Sequence, residues 1–108
     1  MSTATIGRAY EYKVRDDMKA HGWVHIMRAA ASKGPADLIL AHPQYGVALV
    51  QVGTKSKTLG PDDRARLVTA SRLCSALSIL AVVVPRQPIR YWLVTRDVPS
   101  AWDEWSPA

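Results

Sequence analysis

The sequence predicts a single α/β domain in which helices cover the faces of a mixed β-sheet. Two segments, residues 4–21 and 61–74, have helical features, and five apolar runs have strand features, in the order αβββαββ. Because a helix separates the third strand from the fourth, we expect a mixed sheet with the helices on its faces. The length of 108 residues suits one domain. We place it at residues 1–97, with 98–108 as a C-terminal tail packing on it.

The first helix and strand follow from their periodicity. Ile6, Tyr10, Val14 and Met18 recur at helical spacing, and Gly22 marks the end of that helix. In residues 23–27 (WVHIM), His25 falls on the opposite face from Val24 and Ile26, which is typical of a strand. Residues 29–36 are rich in small and loop-forming residues and predict a loop.

A β-hairpin and a second helix follow. Residues 37–41 and 47–52 are apolar runs separated by the turn sequence HPQYG, which predicts two antiparallel strands. After a basic loop at 53–60, Pro61 suits the first position of a helix, and acidic residues follow it. Residues 77–84 and 89–95 predict the last two strands. In the tail, Trp102 and Trp105 are expected to dock back onto the domain.

Charge and composition narrow the class of function. Fourteen Lys and Arg against nine Asp and Glu give a net charge of +5, and the pI is about 9.7. Such a domain is a candidate for a polyanionic partner. No apolar stretch approaches the roughly 20 residues of a membrane helix, and the N-terminus has no signal-peptide core. With Cys74 as the single cysteine, expected to be buried, we expect a cytoplasmic protein without a membrane partner.

Three oxygen-bearing side chains are expected to converge at one end of the sheet. Asp37 stands at the entry to the second strand and Gln51 near the exit of the third, and these ends lie side by side in an antiparallel hairpin. Glu11 on the first helix could reach the same edge. Oxygen ligands of this kind suit Mg²⁺. The plain alternatives are a strand-entry role for Asp37, an ion pair of Glu11 with Arg8 or Arg15, and a structural amide for Gln51.

Five short motifs occur in order on these elements. They are Gly7–Glu11 (GRAYE), His21–Trp23 (HGW), Arg28–Gly34 (RAAASKG), Ala36–Ile39 (ADLI) and Val50–Val52 (VQV). Together they resemble the archaeal-type Holliday junction resolvases of the PD-(D/E)xK nuclease superfamily. The resemblance implies a restriction-endonuclease-like fold and a homodimer that cleaves four-way DNA junctions with Mg²⁺ (or Mn²⁺). We expect the dimer surface around Leu93 and the second helix.

The same resemblance assigns roles to single residues. Glu11 resembles the helix glutamate that approaches the metal through water, Ser32 the loop serine near the scissile phosphate, and Asp37 the metal-binding aspartate. Gln51 stands where the family has its second metal carboxylate, and Gly53 where it has its lysine. We therefore expect the metal to be held by Asp37, Gln51 and the Val52 carbonyl, with Lys55 as a surrogate for the lysine.

The expected function is a structure-selective endonuclease, most simply a Holliday junction resolvase acting on branched double-stranded DNA. The candidate DNA contacts are Arg8, Arg28, Lys33, Lys55, Lys57 and Arg64. Because Gln51 carries no charge and Gly53 no side chain, a junction-binding protein that cuts weakly or not at all is the alternative. A protein-interaction module with an incidental basic surface is a third hypothesis.

Overall fold

The computed structural model describes residues 3–29, 34–54 and 56–108. The helices are α1 (Thr3–Lys19) and α2 (Pro61–Leu73). The strands are β1 (Val24–Arg28), β2 (Leu38–His42), β3 (Gly46–Gly53), β4 (Leu77–Val82), β5 (Arg90–Leu93) and the two-residue β6 (Glu104–Trp105), which follows a short 3-10 turn at Pro99–Ala101.

All six strands form one sheet in the order β1-β2-β3-β4-β5-β6. Every neighbouring pair is antiparallel except β3 and β4, which are parallel and are connected through α2. A parallel connection needs a crossover of this kind, because the chain must return to the end at which the first strand began. The predicted α/β class, with a mixed sheet and the order αβββαββ, is confirmed, and β6 extends it.

Each helix covers one face of the sheet. On the α1 face, Val14 and Met18 pack over a buried cluster that includes Leu38, Val50 and Ile79. On the α2 face, a second cluster contains Leu67, Val68, Leu49, Leu80 and Trp102. The alternation of the central strands supplies both clusters, since successive side chains point to opposite faces.

The ends of the helices follow their local sequence. Gly22 follows α1 with a φ of +92°, and a Cβ there would lie 3.2 Å from Nε2 of His42. Both the backbone conformation and the close ring favour glycine. α2 starts at Pro61, and Asp62 and Asp63 lie in its first turn, where the helix dipole favours acidic residues.

The C-terminal segment packs on the rest of the chain. Trp102 is buried in the α2-face cluster, and Trp105 contacts the α1-face cluster. The indole N–H of Trp23 donates to the Pro107 carbonyl oxygen at 3.0 Å. Arg90 of β5 forms a two-point ion pair with Glu104 of β6, with N–O distances of 2.9 and 3.0 Å.

One expectation about the surface is corrected. Cys74 is exposed rather than buried, because α2 ends at Leu73 and the following residue leaves the helix. Leu93, near which we expect the dimer surface, is half-buried and packs against the α1-face cluster. In the described ranges, no helix is both long and apolar enough to cross a membrane.

Candidate active site

Asp37 lies where the backbone turns into β2. Its N–H donates to the Val50 carbonyl oxygen in β3, while its own carbonyl accepts from the Ala29 N–H beside β1, both at 2.9 Å. In a regular strand the N–H and C=O of one residue point to the same neighbouring strand. The alternation of β2 therefore does not extend to Asp37, and its carboxylate turns to the end of β3, where Oδ2 accepts from the Val52 N–H at 2.8 Å.

The Asp37 carboxyl group is buried, with 6% of the residue exposed. Burial raises its pKa above the ordinary value, and the charge of Glu11 acts in the same direction. The hydrogen bond from the Val52 N–H and the charge of Arg28 lower it, but their effect is smaller. A further positive charge beside Asp37 would therefore stabilise its ionised form.

Glu11 approaches the same region from α1. Only 9% of the residue is exposed, and its Oε1 accepts from Nε of Arg28 in β1 at 2.6 Å. The alternative partner considered for Glu11, Arg15, instead pairs with Asp16 at 2.9 Å. Among the described residues, the one ion pair of these two carboxylates is that of Glu11 with Arg28. Asp37 has no ion-pair partner there, and the charge of Arg28 acts on it only at a distance.

The neighbouring residues of β3 divide between the two faces. Val50 belongs to the α1-face cluster, whereas Leu49 and Leu80, the partner of Gln51 in β4, belong to the α2-face cluster. By strand alternation, the half-buried Gln51 side chain lies on the α2 face, opposite Val52. The structure thus brings Asp37 to the backbone of Val52, whose carbonyl points to the same side as its N–H, and places Gln51 on the face away from α1.

Gly53 has space for a side chain. A Cβ there would meet Leu80 Cδ1 at 3.6 Å and the Ser56 carbonyl oxygen at 3.8 Å, which are ordinary van der Waals distances. Three other candidate residues, Ser32, Lys33 and Lys55, lie outside the described residues.

The remaining candidate DNA contacts differ in their surroundings. Arg8 is exposed on α1. Lys57 donates to the Trp102 carbonyl oxygen at 3.0 Å, and its Nζ lies 4.1 Å from the centre of the Trp92 ring. Arg64 donates to the carbonyl oxygens of Leu59 at 3.1 Å and Arg96 at 3.3 Å. Lys57 and Arg64 therefore hold loops of the domain in place as well as carrying charge.

The oxygen atoms around Asp37 can be compared with the ligands that a divalent cation needs. The described part of the chain contains no group of three or more His, Cys, Asp or Glu side chains placed to hold a metal ion. Carbonyl oxygens and water also coordinate Mg²⁺, which is commonly bound through one or two carboxylates. Asp37, the Val52 carbonyl and Glu11 form a donor set of this kind. Arg28, which is ion-paired with Glu11, competes with a metal ion for this carboxylate. The donor set therefore fits Mg²⁺ but offers it less negative charge than two unpaired carboxylates would.

Arg28 is the residue of the site whose role the sequence did not predict. The sequence predicts Arg28 only as a DNA contact, whereas in the structure its Nε donates to Glu11 and compensates the charge of that carboxylate. The available signal was Glu11 itself, since a carboxylate beside the apolar stripe of α1 needs a partner once that stripe is buried.

The chain is similar to a solved structure but matches no family model and no curated sequence. Among solved structures, the chain is similar to Hjc from Archaeoglobus fulgidus, a Holliday junction resolvase from an archaeal hyperthermophile, determined at 1.6 Å resolution. The two chains are 22% identical, the match covers 79% of this chain and 70% of that one, and the TM-score is 0.67. This likeness shows a shared fold.

Proposed function

We propose that the protein is a metal-dependent endonuclease that cleaves phosphodiester bonds in branched double-stranded DNA, as a Holliday junction resolvase does. One observation carries the proposal. Two buried carboxylates from different elements, Glu11 and Asp37, lie near each other at one end of the sheet, and only Glu11 has an ion-pair partner among the described residues, Arg28. The shared fold with a Holliday junction resolvase and the net charge of +5 support the same function.

The residues would divide the chemistry as follows. The Asp37 oxygen not bonded to Val52 and the Val52 carbonyl would hold Mg²⁺, and Glu11 would orient the attacking water. Gln51, which lies on the α2 face, would not be a ligand of this ion. The bound cation supplies a polarised phosphate and a water of lowered pKa. The Val52 N–H fixes the Asp37 carboxylate in one orientation, and preorganised ligands of this kind reduce the reorganisation needed for reaction.

Basic and hydroxyl groups around the site would bind and position the DNA. Lys55 would replace the lysine absent at Gly53, and Ser32 would contact the scissile phosphate. Arg8, Arg28, Lys33, Lys57 and Arg64 would contact the backbone, a role that basic residues commonly have. Arg28 is placed to exchange Glu11 for a phosphate, because its side chain remains partly exposed.

The test is incubation of the purified protein with a labelled four-way junction or linear duplex in Mg²⁺, Mn²⁺ or EDTA. We expect junction-selective nicking that needs the metal and falls by at least about a hundredfold in Asp37→Asn. Asp62→Asn is the matched control, since Asp62 is exposed on α2, and it should retain activity. Nicking that persists in Asp37→Asn would contradict the proposed site.

A junction-binding protein without cleavage is the second candidate, and a specific observation favours it. Arg28 neutralises Glu11, Gln51 is uncharged, and Gly53 provides no lysine. Tight junction binding in EDTA without nicking in any metal would support this candidate. If the wild-type protein shows no affinity for DNA at low salt, where electrostatic binding is strongest, the result would support the third hypothesis, a protein-interaction module.

The double substitution Gln51→Glu with Gly53→Lys separates the two DNA hypotheses further. The space beside Gly53 admits a side chain, so the variant should fold. If Gln51 and Gly53 hold the motif positions, the change should increase nicking and metal affinity. A folded variant with neither gain would place the motif elsewhere.

We further propose a homodimer formed through an uncovered apolar patch, which we define as Val24, Ile26, Met27 and Leu73. Three of these residues lie on edge strand β1 and are 53–57% exposed, and Leu73 on α2 is 85% exposed. Val24 and Met27 pair with Ala41 and Ile39 on the α2 face, whereas α2 itself packs on β3 and β4.

A groove that includes Leu73 of the apolar patch runs along α2. It has a volume of about 390 Å³ and is lined by Pro35, Ala65, Arg66, Thr69, Ala70 and Leu73. The largest apolar patch of a typical monomer is about 300–600 Å² and is often functional. A second copy placed about a two-fold axis would cover both patches, and two-fold symmetry suits the two equivalent cleavage points of a junction.

A further inference from the structure

We propose that one exposed face of α1 binds the sugar-phosphate backbone of DNA and guides it to the candidate active site. This face, the α1 stripe, consists of Arg8, Tyr12, Arg15 and Lys19. The proposal deepens the proposed function by assigning a DNA path. Its binding component can be tested without cleavage.

The spacing of the α1 stripe places its members in one row. They stand four, three and four residues apart, and residues at these separations lie on the same side of a helix. At 1.5 Å per residue, Arg8 and Lys19 are about 16 Å apart along the axis. This length allows contacts with several successive phosphates of one strand, because the rise is about 3.4 Å per nucleotide.

The Tyr12 ring holds two guanidinium groups without neutralising them. It is 38% exposed, and its centre lies 4.5 Å from Cζ of Arg15 and 5.8 Å from Cζ of Arg28. A cation over an aromatic ring is positioned while keeping its charge. Arg15 also pairs with Asp16, but both side chains are partly exposed, and such surface pairs are weak enough for a phosphate to compete.

The α1 stripe is continuous with the candidate site through Arg28. This side chain donates to Glu11 and lies near the Tyr12 ring. A strand held along α1 would therefore pass the two buried carboxylates. Another acidic residue of α1, Asp17, accepts a 2.5 Å hydrogen bond from the Tyr91 hydroxyl in β5. The fold thus engages the Asp17 carboxylate away from the stripe.

An anionic lipid surface is the other polyanion that a basic helix could meet. Membrane-surface helices insert an exposed apolar face. On α1 the apolar residues Val14 and Met18 are fully buried against the sheet, so that face is not accessible. Within the stripe, Tyr12 is the single aromatic residue. These features favour nucleic acid.

The experiment measures binding of the full chain to a labelled four-way junction and duplex by fluorescence anisotropy in EDTA between 50 and about 200 mM salt. The test variant is Arg8→Gln with Lys19→Gln. The matched control is Arg72→Gln with Arg86→Gln, which removes the same charge from exposed positions outside α1 and outside the groove along α2. Circular dichroism establishes that both variants are folded.

We expect the test variant to weaken binding by roughly tenfold or more and to reduce the salt slope by about two, since each phosphate contact contributes about 0.9. The control should change neither quantity to that extent. Equal losses in both variants, or no loss in the test variant, would overturn the proposal. Binding of wild type to phosphatidylserine vesicles that competes with DNA and depends equally on Arg8 and Lys19 would overturn the assignment to DNA.

The binding experiment and the nicking experiment can fail separately, so the α1 stripe and the nuclease activity are tested independently. Binding that depends on the α1 stripe, together with no nicking in any metal, would support the stripe and reject the nuclease. Nicking and binding that are both unaffected in Arg8→Gln with Lys19→Gln would reject the stripe and leave the nuclease.

Discussion

The raised pKa of Asp37 makes its charge unfavourable for the folded state. The pKa of Asp37 is higher in the folded protein than in the unfolded chain, where it is about 3.9. Its protonated form therefore stabilises the folded state at pH values below the unfolded pKa, and this contribution is lost as the pH rises through the folded pKa. At neutral pH, Asp37 therefore destabilises the metal-free protein. We expect Asp37→Asn to raise the melting temperature at pH 7 in EDTA by a few degrees, because an amide oxygen can still accept from the Val52 N–H.

The comparison is a thermal unfolding series from pH 4 to about pH 7.5, followed by circular dichroism. The gain of Asp37→Asn over wild type should shrink as the pH falls towards 4. Mn²⁺ should raise the melting temperature of wild type but not of Asp37→Asn, since a ligand that binds only the folded state stabilises it. Asp62→Asn, at the start of α2, should lose a little stability through the helix dipole. A lower melting temperature for Asp37→Asn at pH 7 would contradict the burial argument.

In the proposed site, Arg28 would compete with a metal ion for Glu11. We expect Arg28→Gln to bind Mn²⁺ several-fold more tightly, because Glu11 then loses its ion-pair partner and Asp37 loses a nearby positive charge. The same change should destabilise the metal-free protein by about 1–3 kcal/mol, since Glu11 is left buried and unpaired. Mn²⁺-dependent thermal shifts measure the first effect, and urea unfolding in EDTA measures the second.

Arg15→Gln provides the control for this substitution. The pair of Arg15 with Asp16 is partly exposed, so its loss should change stability by less than about 0.5 kcal/mol. An unchanged Mn²⁺ affinity in Arg28→Gln would mean that the two carboxylates do not form a common cation site.

Single-residue chemistry was only partly predictable from the sequence. The sequence predicts that Glu11, Asp37 and Gln51 meet at one edge. The structure brings Glu11 and Asp37 close enough for their charges to interact, whereas strand alternation places Gln51 on the α2 face. Whether Asp37 and Gln51 share a face depends on the backbone turn at Asp37. The pairing of Arg28 with Glu11 depends on how α1 lies over β1. Neither feature produces a periodic pattern in the sequence. Cys74 was expected to be buried from its residue type, but the end of α2 exposes it.

At the scale of elements, the C-terminal segment contributes to the core through Trp102. Its side chain is buried in the α2-face cluster, and its indole N–H donates to the Asp97 carbonyl oxygen at 3.1 Å. We expect Trp102→Ala to destabilise the protein by about 3–5 kcal/mol, as large-to-small changes of buried aromatic residues do. Val98→Ala, at a residue of the same segment that is more than half exposed, should stay within about 0.5 kcal/mol of wild type in urea unfolding. Equal, small effects would show that the segment does not stabilise the domain.

The helices and the first five strands could be predicted because hydrophobic periodicity and turn residues define them locally. β6 could not be predicted, because a strand of two residues is too short to show an alternating pattern. It forms because Arg90 pairs with Glu104 and Trp105 packs at its edges against Trp23 and Tyr91. Its position is thus set by tertiary contacts that the local sequence does not encode.

At the scale of the whole molecule, the sheet is covered unevenly. α2 packs on β3 and β4, and the α2 face of β1 presents Val24 and Met27 to solvent. The sequence placed apolar residues at alternate positions of β1 but could not show which strands α2 would cover, because that depends on the crossover from β3 to β4. The proposed dimer follows from this uneven cover rather than from composition.

Ile26→Lys tests the dimer, because Ile26 is exposed in the free chain and its substitution should leave the fold intact. A charge within the proposed apolar interface must be desolvated without a partner. We expect sedimentation velocity at micromolar concentration to show a dimer for wild type and a monomer for Ile26→Lys. Val98→Lys is the control, since Val98 is exposed to the same extent but lies outside the patch, and it should remain dimeric.

Loss of the dimer should affect the two DNA substrates differently. A monomer presents one copy of the α1 stripe and of the candidate site, so affinity for a four-way junction should fall at least about tenfold through lost bivalency. Affinity for a duplex short enough to bind one protomer should change little. Dimeric Ile26→Lys would place the interface elsewhere on the molecule. A monomeric wild type that still prefers junctions would show that recognition of the branch resides within one chain.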